Sequence, residues 1–243
     1  AAQAAPPQPR LIVETGAHSA PVRRLSINVK RRLVVTASDD KSARVWDLDT
    51  GTLRHVLRPG IDSGEVGQLY GAALHPTDET VAVGGTTGGS RHGHRILLFD
   101  AGTGRFQKSI DTGGSVVRHL AWSADGSVLI AAFGGAESGI KAFDSGGRVL
   151  YQRRFNAPCL GLAVSPTGTA AATSLDGSVL LLGVQTGQVV EKRVLRAGAD
   201  SPVGVAISPD GSRLLVGFGT EQAAPELFDV ERGVSIGRLP VPV

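Results

Sequence analysis

Four residue types that could act together on a substrate lie close in the N-terminal part of the chain: a histidine (His18), two hydroxyls (Thr36 and Ser38), a carboxylate (Asp40) and an indole (Trp46). Histidine, hydroxyl and carboxylate are the base, nucleophile and orienting acid of a serine hydrolase. That chemistry also needs a hydroxyl held at the surface of a pocket and an oxyanion hole, usually built by a Gly-flanked turn or a helix start. Neither is written here, because Ser38 ends the apolar run LVVTAS. No catalytic residue is assigned, and the chain is not expected to be an enzyme.

Other candidates are weaker. Asp47, Asp49 and Gly51 have the early spacing of a calcium loop, but no bidentate Glu follows at its twelfth position, so a turn in which Asp caps backbone amides fits better. His92 and His94, two apart in SRHGHR, would point the same way on an extended segment, yet no third ligand lies near them, and no metal site is assigned. Cys159 has no flanking His or basic cluster and suits a small buried apolar position. Phosphate-loop, dinucleotide and His-Glu-x-x-His motifs are absent, and no cofactor is expected.

The elements that must hold these residues are short strands. The 33 glycines, the 19% charged residues and the 243-residue length suit one β-rich globular domain with many turns, not a disordered chain. The net charge of +3 is spread over scattered arginines, which does not make a nucleic-acid footprint. No apolar run approaches the roughly 20 residues of a membrane-spanning helix, so no membrane insertion is expected. The opening AAQAAPPQPR reads either as the mature end left by a signal peptidase, which implies a periplasmic or secreted protein, or as a flexible linker, which leaves the cytoplasm open. Residues 1–9 are expected to be a flexible segment and 10–243 one domain.

That domain repeats itself. PVRRLSINVKRRLVVTASDDKSARVWDLDTG has four successors, each with an alternating apolar run, an SPDG-like turn, a small-residue apolar run, a polar turn, and a run closing on an aromatic-Asp or its remnant before a turn glycine. The period-two alternation and the close spacing of turns predict antiparallel strands throughout. The markers Trp46, Phe99, Phe143, Leu182 and Phe228 are 53, 44, 39 and 46 residues apart, near the roughly 40–45 of one four-stranded propeller blade.

Through GAHSAPVRRL, SDDKSARVWD, SPDG and the repeated FD, the chain from about Leu11 to Leu239 resembles the WD40 repeat family. The first copy carries the pattern most fully; the fourth reads LLGV where the others end in aromatic-Asp. More narrowly, RLIVETGAHSAPVRRL and GEVGQLYGAALHP resemble the opening repeats of exported bacterial WD40 proteins, some with a caspase-like protease domain. The resemblance implies an all-β propeller of five recognisable four-stranded blades. Counted by the family's pattern, five inner triplets come with six outer strands, RLIVET at 10–15 being the sixth, so the ring either closes on five blades or stays open.

For His18, Ser38, Asp40 and Trp46 the resemblance implies a structural hydrogen-bond network instead of catalysis. It also implies a non-catalytic scaffold that binds another protein, as a subunit of a larger assembly, or alternatively a recognition domain of an exported enzyme assembly such as a caspase-like protease or other hydrolase. The loops at 58–68 and 86–95 and any unpaired terminal edge are the expected contact surfaces, with Asp62, Glu65, Tyr70, Arg91, His92 and His94 as candidate contacts.

Overall fold

Five copies of one sequence pattern build five copies of one sheet. The structure is a computed structural model that describes residues 16–60, 63–88, 93–197, 201–220 and 223–240. The N-terminal segment 1–9, the strand RLIVET at 10–15, Asp62, Arg91 and His92 lie outside the described residues. The described ones hold twenty strands and no helix.

The first sheet consists of β1 (Val22–Asn28), β2 (Leu33–Ser38), β3 (Ala43–Asp47) and β4 (Leu53–Leu57). The second holds β5 (Leu69–Leu74), β6 (Thr80–Gly85), β7 (Arg95–Asp100) and β8 (Phe106–Asp111), and the third β9 (Val116–Trp122), β10 (Val128–Gly134), β11 (Gly139–Asp144) and β12 (Val149–Arg154). The fourth runs β13 (Cys159–Val164), β14 (Thr169–Ser174), β15 (Ser178–Gln185) and β16 (Gln188–Arg196), and the fifth β17 (Pro202–Ile207), β18 (Arg213–Phe218), β19 (Glu226–Asp229) and β20 (Val234–Arg238). Each is an antiparallel meander in sequence order, and none is closed on itself. The turn glycines predicted after each blade's closing run, Gly51, Gly104, Gly147, Gly187 and Gly233, all take positive φ, which glycine adopts without strain.

Burial follows the alternation. Within the first sheet Leu33, Val35, Ala37, Ala43 and Val45 are buried against Leu69, Ala72, Val81, Val83 and Phe99 of the second. Three further apolar clusters join the second sheet to the third, the third to the fourth and the fourth to the fifth. At each of these junctions the first strand of one sheet packs on the first and second strands of the sheet before it. Polar turns add to three of them: Asn28 Nδ2 donates to the His75 carbonyl (2.7 Å), the His75 ring and the Gly126 carbonyl are 2.9 Å apart, and Thr186 N donates to Asp125 (3.0 Å).

The first and fifth sheets share no such core among the described residues. The consequence is visible in β1. Leu25 occupies the register of Leu120 and Leu162, which are 2% and 3% exposed, yet it is 60% exposed. Ile27 (51%), Val22 and Val29 are exposed beside it. On the other side of the gap, Leu215 and Leu227 are only half-buried, whereas their equivalents Ala171 and Leu181 are buried. The five blades therefore form an open arc.

Candidate functional site

The hydrogen-bond network of the first blade forms through Thr36, not Ser38. His18 Nδ1 lies 2.8 Å from Asp40 Oδ2, His18 Nε2 2.7 Å from Thr36 Oγ1, and Trp46 Nε1 donates to the same Thr36 oxygen at 2.8 Å. The register explains the choice: Trp46 pairs with Val34, so Thr36 is its diagonal neighbour on the same face, while Ser38 is a further residue pair away. Ser38 instead donates to the Ala20 carbonyl (3.1 Å) and accepts from Asp40 N, fastening the chain's entry into the blade. The expected membership of Ser38 in the His18–Asp40–Trp46 chain is thus corrected.

One assignment of protons satisfies every atom: Trp46 donates to Thr36, Thr36 to His18 Nε2, and His18 Nδ1 to Asp40. Asp40 also accepts from Ser19 N (3.1 Å), Ser42 N (3.0 Å) and Ser42 Oγ (2.6 Å). The His18 and Asp40 side chains are nearly buried, at 7% and 5% exposure. Burial works against the Asp40 carboxylate, but the bonds from Ser42, His18 and Ser19 more than offset it and hold its pKa below the ordinary value. The connectivity is that of a hydrolytic triad, but the indole already occupies the Thr36 oxygen and Thr36 sits within the ladder, between Leu25 and Arg44. This arrangement fastens strands.

The Asp47 turn likewise consumes its carboxylate internally. Asp47 Oδ1 accepts from Asp49 N (3.0 Å) and Thr50 N (2.9 Å), and its other oxygen pairs with Arg54. Cys159 is buried, and burial pushes its thiol up to about 12, so it is a poor nucleophile near neutrality.

A site that single motifs do not reveal emerges where the five inner strands meet. Each carries a β-bulge at the same place, between Val22 and Arg24, Leu69 and Gly71, Val117 and His119, Cys159 and Gly161, and Pro202 and Gly204. A bulge turns the extra residue out of the ladder and re-aims its side chain. The five extra residues, Arg23, Tyr70, Arg118, Leu160 and Val203, all line one cavity of about 640 Å³, together with Arg24, Asp39, Glu65 and Gln68. This is the mouth of the central channel. Arg24 spans it, its Nη2 donating to the Leu160 carbonyl (2.8 Å).

Of the sequence-derived contact residues, Glu65 and Tyr70 line this mouth. His94 lies close enough to Arg118 to feel its charge, and its pKa is lowered by burial first and by that charge second. Neighbouring His119 is lowered further, to about 3, by burial and by Arg24, so its ring is neutral. Arg23 is neutralised by Asp39 through contacts of 3.0, 3.0 and 2.6 Å. The Arg118 guanidinium stacks 4.9 Å above the Tyr70 ring, and Tyr70 donates to Gln68 (2.6 Å). Arg24 and Arg118 escaped sequence reading because they look like scattered basic residues until the five inner strands are stacked at their bulges.

Comparison with known proteins agrees with the repeat and the fold. The family described as WD domain, G-beta repeat, matches residues 10–47. The chain thus carries a recognisable WD40 repeat at its first blade. The match starts upstream of β1 and stops at Asp47, the last residue of β3, so the WD40 repeat as written in sequence leaves out β4 of its own blade. A WD repeat-containing protein, SL1-17, of Schistosoma mansoni is 26% identical over 176 residues, 71% of this chain and 54% of that protein. The chain thus spans about half the length of this WD40 relative, which is eukaryotic and lends no support to the narrower likeness to exported bacterial proteins. WD40 repeats generally mediate protein–protein interaction.

Proposed function

We propose that this chain is a non-catalytic scaffold that binds a partner protein, with the open face of the first blade as its principal contact surface. The observation that supports this is the row Val22, Leu25 and Ile27, all exposed where the equivalent residues of the other inner strands are largely covered by a preceding blade, with exposed Val29 just beyond the strand. Exposed contiguous apolar surface of this kind is characteristic of interaction sites. It is also rigid, being one face of a four-stranded sheet whose other face is locked into a core. Burying each of those side chains would contribute about 1.5–3 kcal/mol, so a partner that covers three or four of them gains a substantial share of a stable interface.

The test is a photo-crosslinking residue placed at Leu25, compared with one at exposed Arg148 on the third blade, in chain expressed in its native source. A discrete partner captured from position 25, absent from position 148 and lost when Ile27→Asp is added, supports the reading. Crosslinks confined to the chain's own fifth blade, or capture that Ile27→Asp leaves intact, count against it.

A further inference from the structure

Among the described residues, the channel mouth holds more positive charge than is compensated. Asp39 is spoken for by Arg23, and the other carboxylate on the cavity wall, Glu65, is exposed and forms no ion pair with Arg24 or Arg118. Among the described residues neither Arg24 nor Arg118 has a carboxylate within 4 Å. Both have a buried Nε with no hydrogen-bond partner. Arg24 satisfies itself through one carbonyl, and Arg118 through the face of Tyr70. Removing a guanidinium from water without a counter-charge is costly, and proteins rarely leave two such groups lining one cavity unless something anionic is received there.

The shape of the site agrees with its charge. A planar guanidinium fork matches the two oxygens of a carboxylate or phosphate, and a stacked arginine is held ready to present it. Tyr70 and Gln68 add a hydroxyl and an amide to the same wall. The inner strands make room for it: at the register of Arg24 and His119 the other three carry Gly71, Gly161 and Gly204. Arg118 is itself packed over Gly134, where an added Cβ would come within 3.0 Å of its Nε. We infer that the channel mouth is an oxyanion-binding site, in which Arg24 and Arg118 receive a single carboxylate or phosphate group. The inference is independent of the open face, whose residues Val22, Leu25, Ile27 and Val29 do not line this cavity.

Isothermal titration calorimetry on the full chain tests it, with inorganic phosphate, succinate and a capped tetra-glutamate peptide as three separate probes. Binding of at least one probe is expected, weakened ten-fold or more by Arg24→Gln and by Arg118→Gln and changed less than two-fold by Arg148→Gln. Phosphate or succinate binding marks a free anion as the ligand; binding of the peptide alone marks an acidic side chain of a protein. Circular dichroism checks that the variants fold. Should either variant unfold, the Nε–Hε resonances of the arginines in labelled wild-type protein give the same answer, since two of them shift on titration if the site is real. No heat and no shifted resonance with all three probes, or equal weakening by Arg148→Gln, overturns it.

Discussion

Replacing Asp40 by alanine should be among the most damaging substitutions of a polar side chain in the first blade. The carboxylate accepts from His18 Nδ1, Ser19 N, Ser42 N and Ser42 Oγ, and the His18 side chain is only 7% exposed. Its loss strands the His18 N–H and both Ser42 donors in a nearly dry site. Each unsatisfied group costs about 1–3 kcal/mol, and partial rehydration limits the sum, so Asp40→Ala is expected to destabilise by about 3–5 kcal/mol. With a urea m-value of about 2–3 kcal/mol/M, the unfolding midpoint falls by about 1–2.5 M. The effect must also depend on pH with a known sign. Because the folded pKa of Asp40 lies below its ordinary 3.8, its contribution is fully present above that value and is lost as pH falls through the folded pKa. Urea titrations of wild type and variant at pH 7 and at stepped values down to pH 2 measure this. A cost below about 1 kcal/mol at pH 7, or a difference that stays flat to pH 2, would refute the network as a stabilising device.

Three further outcomes follow from the geometry. Thr36→Val should cost about 2 kcal/mol, because it strands both His18 Nε2 and Trp46 Nε1, and Ser38→Ala about half that; urea midpoints in the reverse order would contradict the corrected assignment. Leu120→Ala should cost about 2–5 kcal/mol and Leu25→Ala under about 1, although the two leucines share one register position, and the pair is read by the same midpoints. Gly126→Ala should destabilise by about 1–3 kcal/mol, since Gly126 has positive φ and a Cβ there would strike the His75 ring at 2.2 Å; a smaller loss from Gly126→Ala in a His75→Ala background than in wild type would confirm the collision as a cause.

Much of the fold can be read from the chain because each blade is specified locally. The SPDG-like turns, the aromatic-Asp closings and the turn glycines recur at blade spacing, and period-two alternation between them leaves few other structures open. The Ser38 misassignment came from the opposite situation: Thr36 and Ser38 are two residues apart on the same strand face, and only the pairing of Val34 with Trp46 separates them. Register is not written in residue types. The channel mouth was harder still, because its residues come from five distant positions and join through a bulge that leaves no local signature. Stacking VRRL, LYGA, VRHL, CLGL and PVGV one above another would have exposed Arg23, Arg118 and Arg24 as a ring. The open face was half legible: strand counting raised the question, and the exposure of Leu25 answers it.

The most direct check on an open, partner-binding arc is the chemical accessibility of one position. The native Cys159 is buried and its thiol raised to about 12, so the unmodified chain should be silent to a neutral-pH thiol reagent. Leu25→Cys in that background should react at nearly the rate of a free thiol, and Leu120→Cys, its register equivalent two blades further on, only at the rate of unfolding. If Leu25→Cys is instead protected in the isolated chain to the extent of Leu120→Cys, the first blade is covered by the fifth and the account of an exposed binding face is wrong.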